Sequence, residues 1–348
     1  MIPIPALLLS VALSAEIQSP REFQVVQRGP GNVGKVRVEG TCSDDVDRLG
    51  VLVVLEAGRP PAWHALENDD LPGPTRHFHG VLELPAGGWY SLSVARAVDG
   101  PALAEVLHFG VGEVFVVAGQ SNSTNYGEER TPSLDDRVAA FDGSRWWIAA
   151  DPMPGAQDPS QDGSPWPTCG QLLRRSLRVP VAFASCGFGG TSIRQWQKGD
   201  EFENQGEKVR LYDGLLQRVR ALGEYRAILW HQGETDAGRG MKTEEYVELF
   251  SRLRRDLAAD SGHQATWIVA HASFVPDLAR EKMDPIRAAQ TEIWKRGLAL
   301  QGPDTDDLQG ELRHSRDHIH FSRAGLEVHA ARWFALVWAN CFADPPLR

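Results

Sequence analysis

Cysteine is scarce in this chain, with Cys42, Cys169, Cys186 and Cys341 the only four among 348 residues. None of them forms a C-x-x-C pair, which argues against a zinc site built on clustered thiolates. An exported chain could close one disulfide, but spacing alone pairs none of the four, and free buried thiols are the simpler expectation. Also missing is an apolar run long enough to span a bilayer. The first residues, MIPIPALLLSVALSAEIQ, are apolar but broken by proline, and they lack the Lys or Arg that opens a signal peptide. Residues 1–15 therefore read as an export segment or as a first strand. Export would place the chain in a periplasm or outside the cell, and the alternative leaves it in the cytoplasm. Positive charge is in deficit, 36 Lys and Arg against 46 Asp and Glu, for a net charge of −10. Nucleic acid and anionic membrane are not expected as partners, because neither would be attracted. No internal repeat or low-complexity tract is present. Tyrosine is also sparse, five against eleven Trp, so the large rings available for a core or a sugar-stacking cleft are mostly indoles.

The length suffices for one to three domains. Residues 16–110 read as β-rich. GKVRVEGTC, GVLVVLEAG, FHGVLELPAGGWYSLSVARA and AEVLHFG are short runs of Val, Leu and aromatics punctuated by Gly, Pro and Asp. LELPAGGWYSLSV reads as a hairpin with Gly87 and Gly88 at its turn. A small all-β sandwich is the economical fold for this part. From Glu113 the pattern changes, and residues 111–345 form a second expected domain. VFVVAG, VAFAS, AILW and TWIVA alternate with helical spacing. TEEYVELFSRLRRDLAAD is the clearest helix, with Tyr246, Leu249, Phe250, Leu253 and Leu257 on one stripe. Further helices are expected over 168–178, 207–222, 284–299 and 323–341. Strands alternating with helices predict a parallel sheet covered on both faces, with functional groups on loops past the strands' carboxyl ends.

Ser121 sits at one such end, in VFVVAGQSNSTNYGEE. A serine hydroxyl is a weak nucleophile that needs a base, an orienting acid and donors for the oxyanion. Opening a helix, Ser121 would gain that helix's positive end; equally, it could simply cap it. RDHIHFSRAG places Asp317 and His320 three apart before the final helix, so a carboxylate could hold the imidazole while its other nitrogen faces a serine. His318 beside them is a competing imidazole. GFGGTSIRQW follows VAFAS, with Gly189 and Gly190 permitting close backbone approach. WHQGETD follows AIL and offers the Gln232 amide. Each alone reads as a turn or a surface polar group.

Together the segments GQSN, DGSPWPTCGQLL, GGTSIRQW, LYDGLLQRV, AILWHQGETD and DHIHFSRAG, in this order, resemble the SGNH (GDSL-like) hydrolase superfamily. Within it, residues 113 to about 330 resemble the carbohydrate acetylesterase branch that includes sialate O-acetylesterases. The resemblance implies a flavodoxin-like three-layer αβα domain with a parallel sheet, and the preceding β domain is seen in relatives too. It implies Ser121 as nucleophile, His320 as base and Asp317 as its partner. It further implies an oxyanion hole from the Ser121 N–H, the Gly190 N–H and the Gln232 side chain. The substrate class implied is an acetylated carbohydrate, with no metal or organic cofactor. An acetyltransferase using the same triad, or a non-catalytic carbohydrate binder on the same scaffold, are the alternatives.

Two departures stand out. Ser123 occupies the position where GQSNM would carry methionine, which could alter the pocket floor. Trp230–His231 precedes Gln232 where an aromatic pair is usual, so His231 reads as packing or as a substrate contact. Arg194 and Trp196, just past the glycine pair, are candidate walls of a sugar site. Glu234 and Asp236 read as loop anchors, with a role at the histidine as the other possibility. Trp146 and Trp147 read as structural, and His77 with His79 offers only a remote metal pair on a first-domain strand.

Overall fold

The computed structural model describes residues 14–43, 49–55, 61–69 and 75–343. The expected export segment thus lies outside the described residues as far as residue 13, and its last residue opens a strand. Among the described residues, eight strands precede the junction: β1 (Ala15–Ser19), β2 (Gln24–Gln27), β3 (Val33–Ser43), β4 (Gly50–Leu55), β5 (Ala62–Ala65), β6 (Glu67–Asn68), β7 (Thr75–Pro85) and β8 (Trp89–Ala95). β1-β3-β7-β6 form one antiparallel sheet. β4 pairs with β5 and β8 in another. Alternation along β3 sends Val36, Val38 and Cys42 inward, where they meet Val51, Val53, Leu92, Val94, Phe109 and Val111 in one core.

The expected Gly87–Gly88 hairpin is not formed. β7 and β8 belong to different sheets, and the turn between them arches across the sandwich, with Ala86 N–H donating to Asn32 O (2.6 Å). Leu82 and Leu84 on β7, and Tyr90, Leu92 and Val94 on β8, face a common core from opposite sides. Alternation reads identically for an arch and a hairpin, because it records which face is buried and not which sheet carries it.

β9 (Ala104–Gly119) spans both parts of the chain. Its first half pairs antiparallel with β8 and parallel with β2. Its second half pairs parallel with β12 (Val181–Ser185) and β15 (Ala227–His231), after β10 (Val138–Phe141) and β11 (Trp146–Ile148) have intervened in the chain. The boundary expected at residues 110 and 111 therefore falls inside a strand. At the crossing, the Glu113 carboxylate is fully buried, and it accepts from Arg28 Nε (2.5 Å), Arg226 Nε (2.7 Å) and Gln27 Nε2 (2.9 Å). Two guanidiniums and an amide thus replace the water that this charge gave up.

Past the short β13 (Phe202–Asn204) and β14 (Glu207–Val209) hairpin, the sheet is completed by β16 (Trp267–His271) and β17 (Leu300–Asp304). The order β12-β9-β15-β16-β17 is all parallel, with β10 parallel outside β12 and β11 antiparallel at the edge. This is the 2-1-3-4-5 order of flavodoxin-like folds, whose binding crevice opens where the chain reverses direction across the first strand. One face is covered by α2 (Leu211–Leu222), α4 (Thr243–Ser261) and α5 (Arg280–Lys295), the other by α1 (Trp166–Leu177) and α6 (Arg323–Cys341). β9 shows why two periodicities coexist in the chain: from Phe109 onward every residue is buried, the signature of a strand covered on both faces.

Two helix boundaries differ from expectation. The segment expected as helix from 207 begins with β14, and α2 starts at Leu211. α5 runs from Arg280 to Lys295, not from 284 to 299, because its opening Arg-Glu-Lys turn has no apolar stripe to betray it. None of the four cysteines is in a disulfide, and Cys42, Cys169 and Cys186 are buried.

Candidate active site

Four loops meet beyond the carboxyl ends of the parallel strands. β9 ends at Gly119, whose φ of +133° and proximity to His231 (an added Cβ would lie 2.1 Å from its carbonyl oxygen) admit only glycine. The ladder then continues into the loops, with Gln120 N–H donating to His231 O (2.9 Å) and Phe188 N–H to Gly119 O (2.9 Å). Ser121 follows. It opens a single 3₁₀ turn, Ser121–Ser123, with Gln120 in the capping position, so neither the expected helix nor a capping role for Ser121 is found. The turn is held by Thr124, whose N–H (2.9 Å) and hydroxyl (3.1 Å) both donate to Ser121 O. Ser121 is 5% exposed. Ser123 lies beneath it, fully buried, its hydroxyl on Gln120 O (2.7 Å) and its carbonyl on Trp166 Nε1 (2.9 Å).

The histidine arrives from the loop between β17 and α6. Asp317 Oδ2 lies 2.8 Å from His320 Nδ1, and Asp317 Oδ1 accepts the N–H groups of Ile319 and His320, both at 2.9 Å. One carboxylate thereby fixes both the imidazole and the backbone that carries it. Burial pushes the Asp317 carboxyl up, but the hydrogen bonds from His320 and Ile319, with the charge of His320, outweigh it and hold it below its ordinary value. The competing His318 has a φ of +56° at the turn itself and donates its N–H to His314 O (2.9 Å). Behind the loop, Arg313 is 4% exposed and donates to the carbonyls of Ile319 (2.5 Å), Thr305 (2.6 Å) and Leu308. It stacks on Phe321 and Phe274, and burial lowers its pKa to about 10.

The glycine loop presents two amides with different fates. Gly189 N–H donates to Asp158 Oδ2 (2.6 Å). Among the described residues, the N–H groups of Gly190 and Ser121 donate to no protein acceptor. Tyr126 lies between this loop and the histidine, its ring stacked on His320 at 4.9 Å between centroids. Burial and the nearby Asp158 carboxylate push its phenol up to about 12.

Gln232 departs from expectation. It is fully buried, and its Nε2 donates to Asp236 Oδ2 (2.6 Å), with longer contacts to Thr191 O (3.1 Å) and Gln120 Oε1 (3.2 Å). Its Oε1 accepts from the Tyr246 hydroxyl (2.8 Å). A primary amide has two N–H groups, and both are spent inside the protein. The free side-chain donor expected at Gln232 is therefore corrected to a buried tie between three loops. Asp236, which also accepts from the Ser192 hydroxyl and from Ile193 N–H (2.9 Å), anchors the glycine loop to α3 (Glu234–Gly238). Burial raises its carboxyl above the ordinary value, partly offset by these bonds.

Of the three candidate sugar contacts, Trp196 and His231 are enclosed in the core and Arg194 is at the surface. Trp196 has no exposed surface; it packs edge-on against Trp230 (5.2 Å), and its Nε1 reaches Thr191 Oγ1 (3.2 Å). Arg194 is exposed and pairs with Glu245 on α4. His231 is 1% exposed, 3.5 Å from Glu234 and packed against His329, so it is a core residue. One residue escaped notice although it stands in the GQSN motif. Asn122 Nδ2 donates to Glu234 Oε1 (2.9 Å) and approaches Ile319 O at 3.5 Å, linking the serine turn to α3 and the histidine loop.

Residues 111–338 match the family described as carbohydrate esterase, sialic acid-specific acetylesterase. The chain belongs to this family. A probable carbohydrate esterase of Arabidopsis thaliana is 30% identical over 146 residues, 41% of this chain and 49% of that protein. The chain thus spans about half the length of the curated relative it matches. A carbohydrate acetylesterase from Xanthomonas citri superposes with a TM-score of 0.59 at 18% identity, over 94% of this chain and 76% of the other. An Arabidopsis thaliana protein superposes with a TM-score of 0.51 at 19% identity, over 66% of this chain and 98% of its own. These likenesses show a shared fold. Among the described residues no helix is long and apolar enough to cross a membrane, and no cluster of three metal-ligating side chains occurs.

Proposed function

We propose that the chain is a serine esterase that removes O-acetyl groups from carbohydrates through an acetyl-enzyme. The observation that carries this reading is the His320–Asp317 pair, locked at 2.8 Å on a loop at the same end of the parallel sheet as Ser121. Membership of the acetylesterase family supports the substrate class.

In the first half-reaction His320 takes the Ser121 proton as the hydroxyl oxygen attacks the acetyl carbonyl. Asp317 holds Nδ1–H and stabilises the imidazolium. The oxyanion is received by the Ser121 and Gly190 N–H groups, which no protein acceptor occupies among the described residues. Such donors are each worth about 3 to 4 kcal/mol of barrier. Gln232 supports this hole from behind by tying Thr191, Asp236 and Gln120 together. Collapse of the tetrahedral adduct passes the proton to the departing sugar alkoxide. Water then attacks the acetyl-enzyme with His320 again as base, releasing acetate and restoring Ser121.

Acetate release from acetylated glycans and acetylated sialosides tests the reading, with Ser121→Ala alongside wild type. Release by wild type and a loss of about 1,000-fold or more in the variant is expected. Equal release by both removes Ser121 from the chemistry. Acetyl-sugar formed in place of acetate would reassign the second step to a transferase.

A further inference from the structure

We infer that Tyr126 is a positioning residue that fixes the distance between the general base and the oxyanion loop. The inference rests on the roles proposed above for Ser121, His320 and Gly190.

The phenol ring lies on the imidazole of His320, centroids 4.9 Å apart and planes inclined by 25°. At its other end, the hydroxyl abuts Gly189 so closely that an added Cβ there would lie 2.4 Å from Tyr126 Oη. Asp158 closes this end, because its Oδ2 takes the Gly189 N–H at 2.6 Å beside the phenol. One rigid side chain therefore touches the base with its face and the glycine loop with its tip. Its backbone is pinned on both sides: Asn125 exchanges two hydrogen bonds with Met153 (3.0 and 2.8 Å), and Gly127 exchanges two with Gly163 (2.8 and 3.0 Å). Asp158 is fixed in turn, its neighbour Gln157 bonding Gly187 O (2.9 Å) and Cys186 O (2.7 Å) at the root of the glycine loop.

Two consequences follow for the reaction. Asp158 consumes the Gly189 N–H, so the loop is oriented with Gly190 as its free donor. The Tyr126 ring restricts rotation of His320 about its side-chain torsion, and its π face favours the imidazolium that forms on proton transfer. Misplacing a reacting group by about 1 Å costs on the order of 100-fold in rate. The strut guards against that displacement in two catalytic groups at once.

The test uses p-nitrophenyl acetate, which has no sugar to bind, with Tyr126→Leu, Tyr126→Phe and Ser121→Ala compared in the full chain. Tyr126→Leu should lower kcat about 30- to 100-fold with KM within a few-fold, and Tyr126→Phe, which keeps the ring, about 3- to 10-fold. The ring protons of His320 should show an upfield ring-current shift by NMR in wild type and Tyr126→Phe that is absent in Tyr126→Leu. That signal reports the ring contact itself, and a loss in kcat with KM retained is what a merely structural role would not produce. Should Tyr126→Leu not fold, Tyr126→Phe decides: a kcat within twofold of wild type overturns the inference. So does wild-type kcat in a folded Tyr126→Leu, or a change confined to KM, while Ser121→Ala is inactive. Full activity in Ser121→Ala would instead overturn the serine-esterase reading and take this inference with it.

Discussion

Replacing Gln232 by alanine separates two roles that the same residue can play in an esterase of this type. A side-chain amide aimed at the oxyanion would, on removal, cost turnover about 100-fold or more and leave stability untouched. The observed amide points elsewhere. Its shortest bond, 2.6 Å, goes to a buried carboxylate, Asp236, and its oxygen accepts the Tyr246 hydroxyl at 2.8 Å. A hydrogen bond to a charged group contributes about 1.5 to 3 kcal/mol, and a neutral one about 1 kcal/mol. Truncation at a fully enclosed position adds a cavity term of about 1 kcal/mol. Asp236 keeps Ser192 and Ile193 as donors, which limits the loss. The expected destabilisation is therefore about 3 to 4 kcal/mol, read as a lower urea midpoint at unchanged m-value. Turnover of a small acetyl ester below the unfolding transition should fall as the glycine loop loosens, by less than the loss from Ser121→Ala. A variant that unfolds within about 0.5 kcal/mol of wild type yet loses 100-fold in kcat would refute this account and return the amide to the oxyanion.

Other perturbations have equally definite outcomes. Glu113→Gln should cost about 3 kcal/mol in urea unfolding, because it strands Arg28 and Arg226, and it should leave kcat unchanged, since the carboxylate lies at the crossing in the middle of β9 and not at the strand end that carries Ser121. Arg313→Met should lower stability by about 3 kcal/mol and reduce kcat as well, since Ile319 O, one residue before His320, loses its guanidinium; unaltered kcat would show that Asp317 alone orders the loop. Asp317 titrates below its ordinary 3.8 when folded, so the stability it contributes is present above that value and is lost as pH falls through the depressed one. Wild type minus Asp317→Asn should then persist down to about pH 5 and shrink below about pH 4 in denaturant titrations; a difference that shrinks already near pH 6 contradicts the depressed value.

The elements proposed as catalytic each carry a short local signature: a strand run that stops at a small polar cluster, or a carboxylate and an imidazole on one tight turn. What orients a side chain on a loop is not local. Trp196 and His231 stand next to the right segments, yet burial and packing against Trp230 and His329 enclose them in the core. Gln232 misled for the same reason, since its partners Asp236 and Tyr246 are identified only by the fold. The parallel order followed from alternating strands and helices, but β17, with the sequence LQGPD, has no β-branched residue to announce it. The arch between β7 and β8 was unreadable in principle, because a pattern of period two cannot say which sheet a strand joins.

β9 carries a last consequence. Where two units are joined by a linker, either can turn without disturbing the other, and either can be deleted. Here the joint is itself a strand, hydrogen-bonded from end to end, first to β8 and β2 and then to β12 and β15, and it ends two residues before Ser121. The molecule has a beam where a hinge would be. Torque on the small sheets is delivered to the base of the Ser121 turn, and trimming the chain at residue 110 cuts that beam at midspan, removing the partners of its first half along with the sandwich.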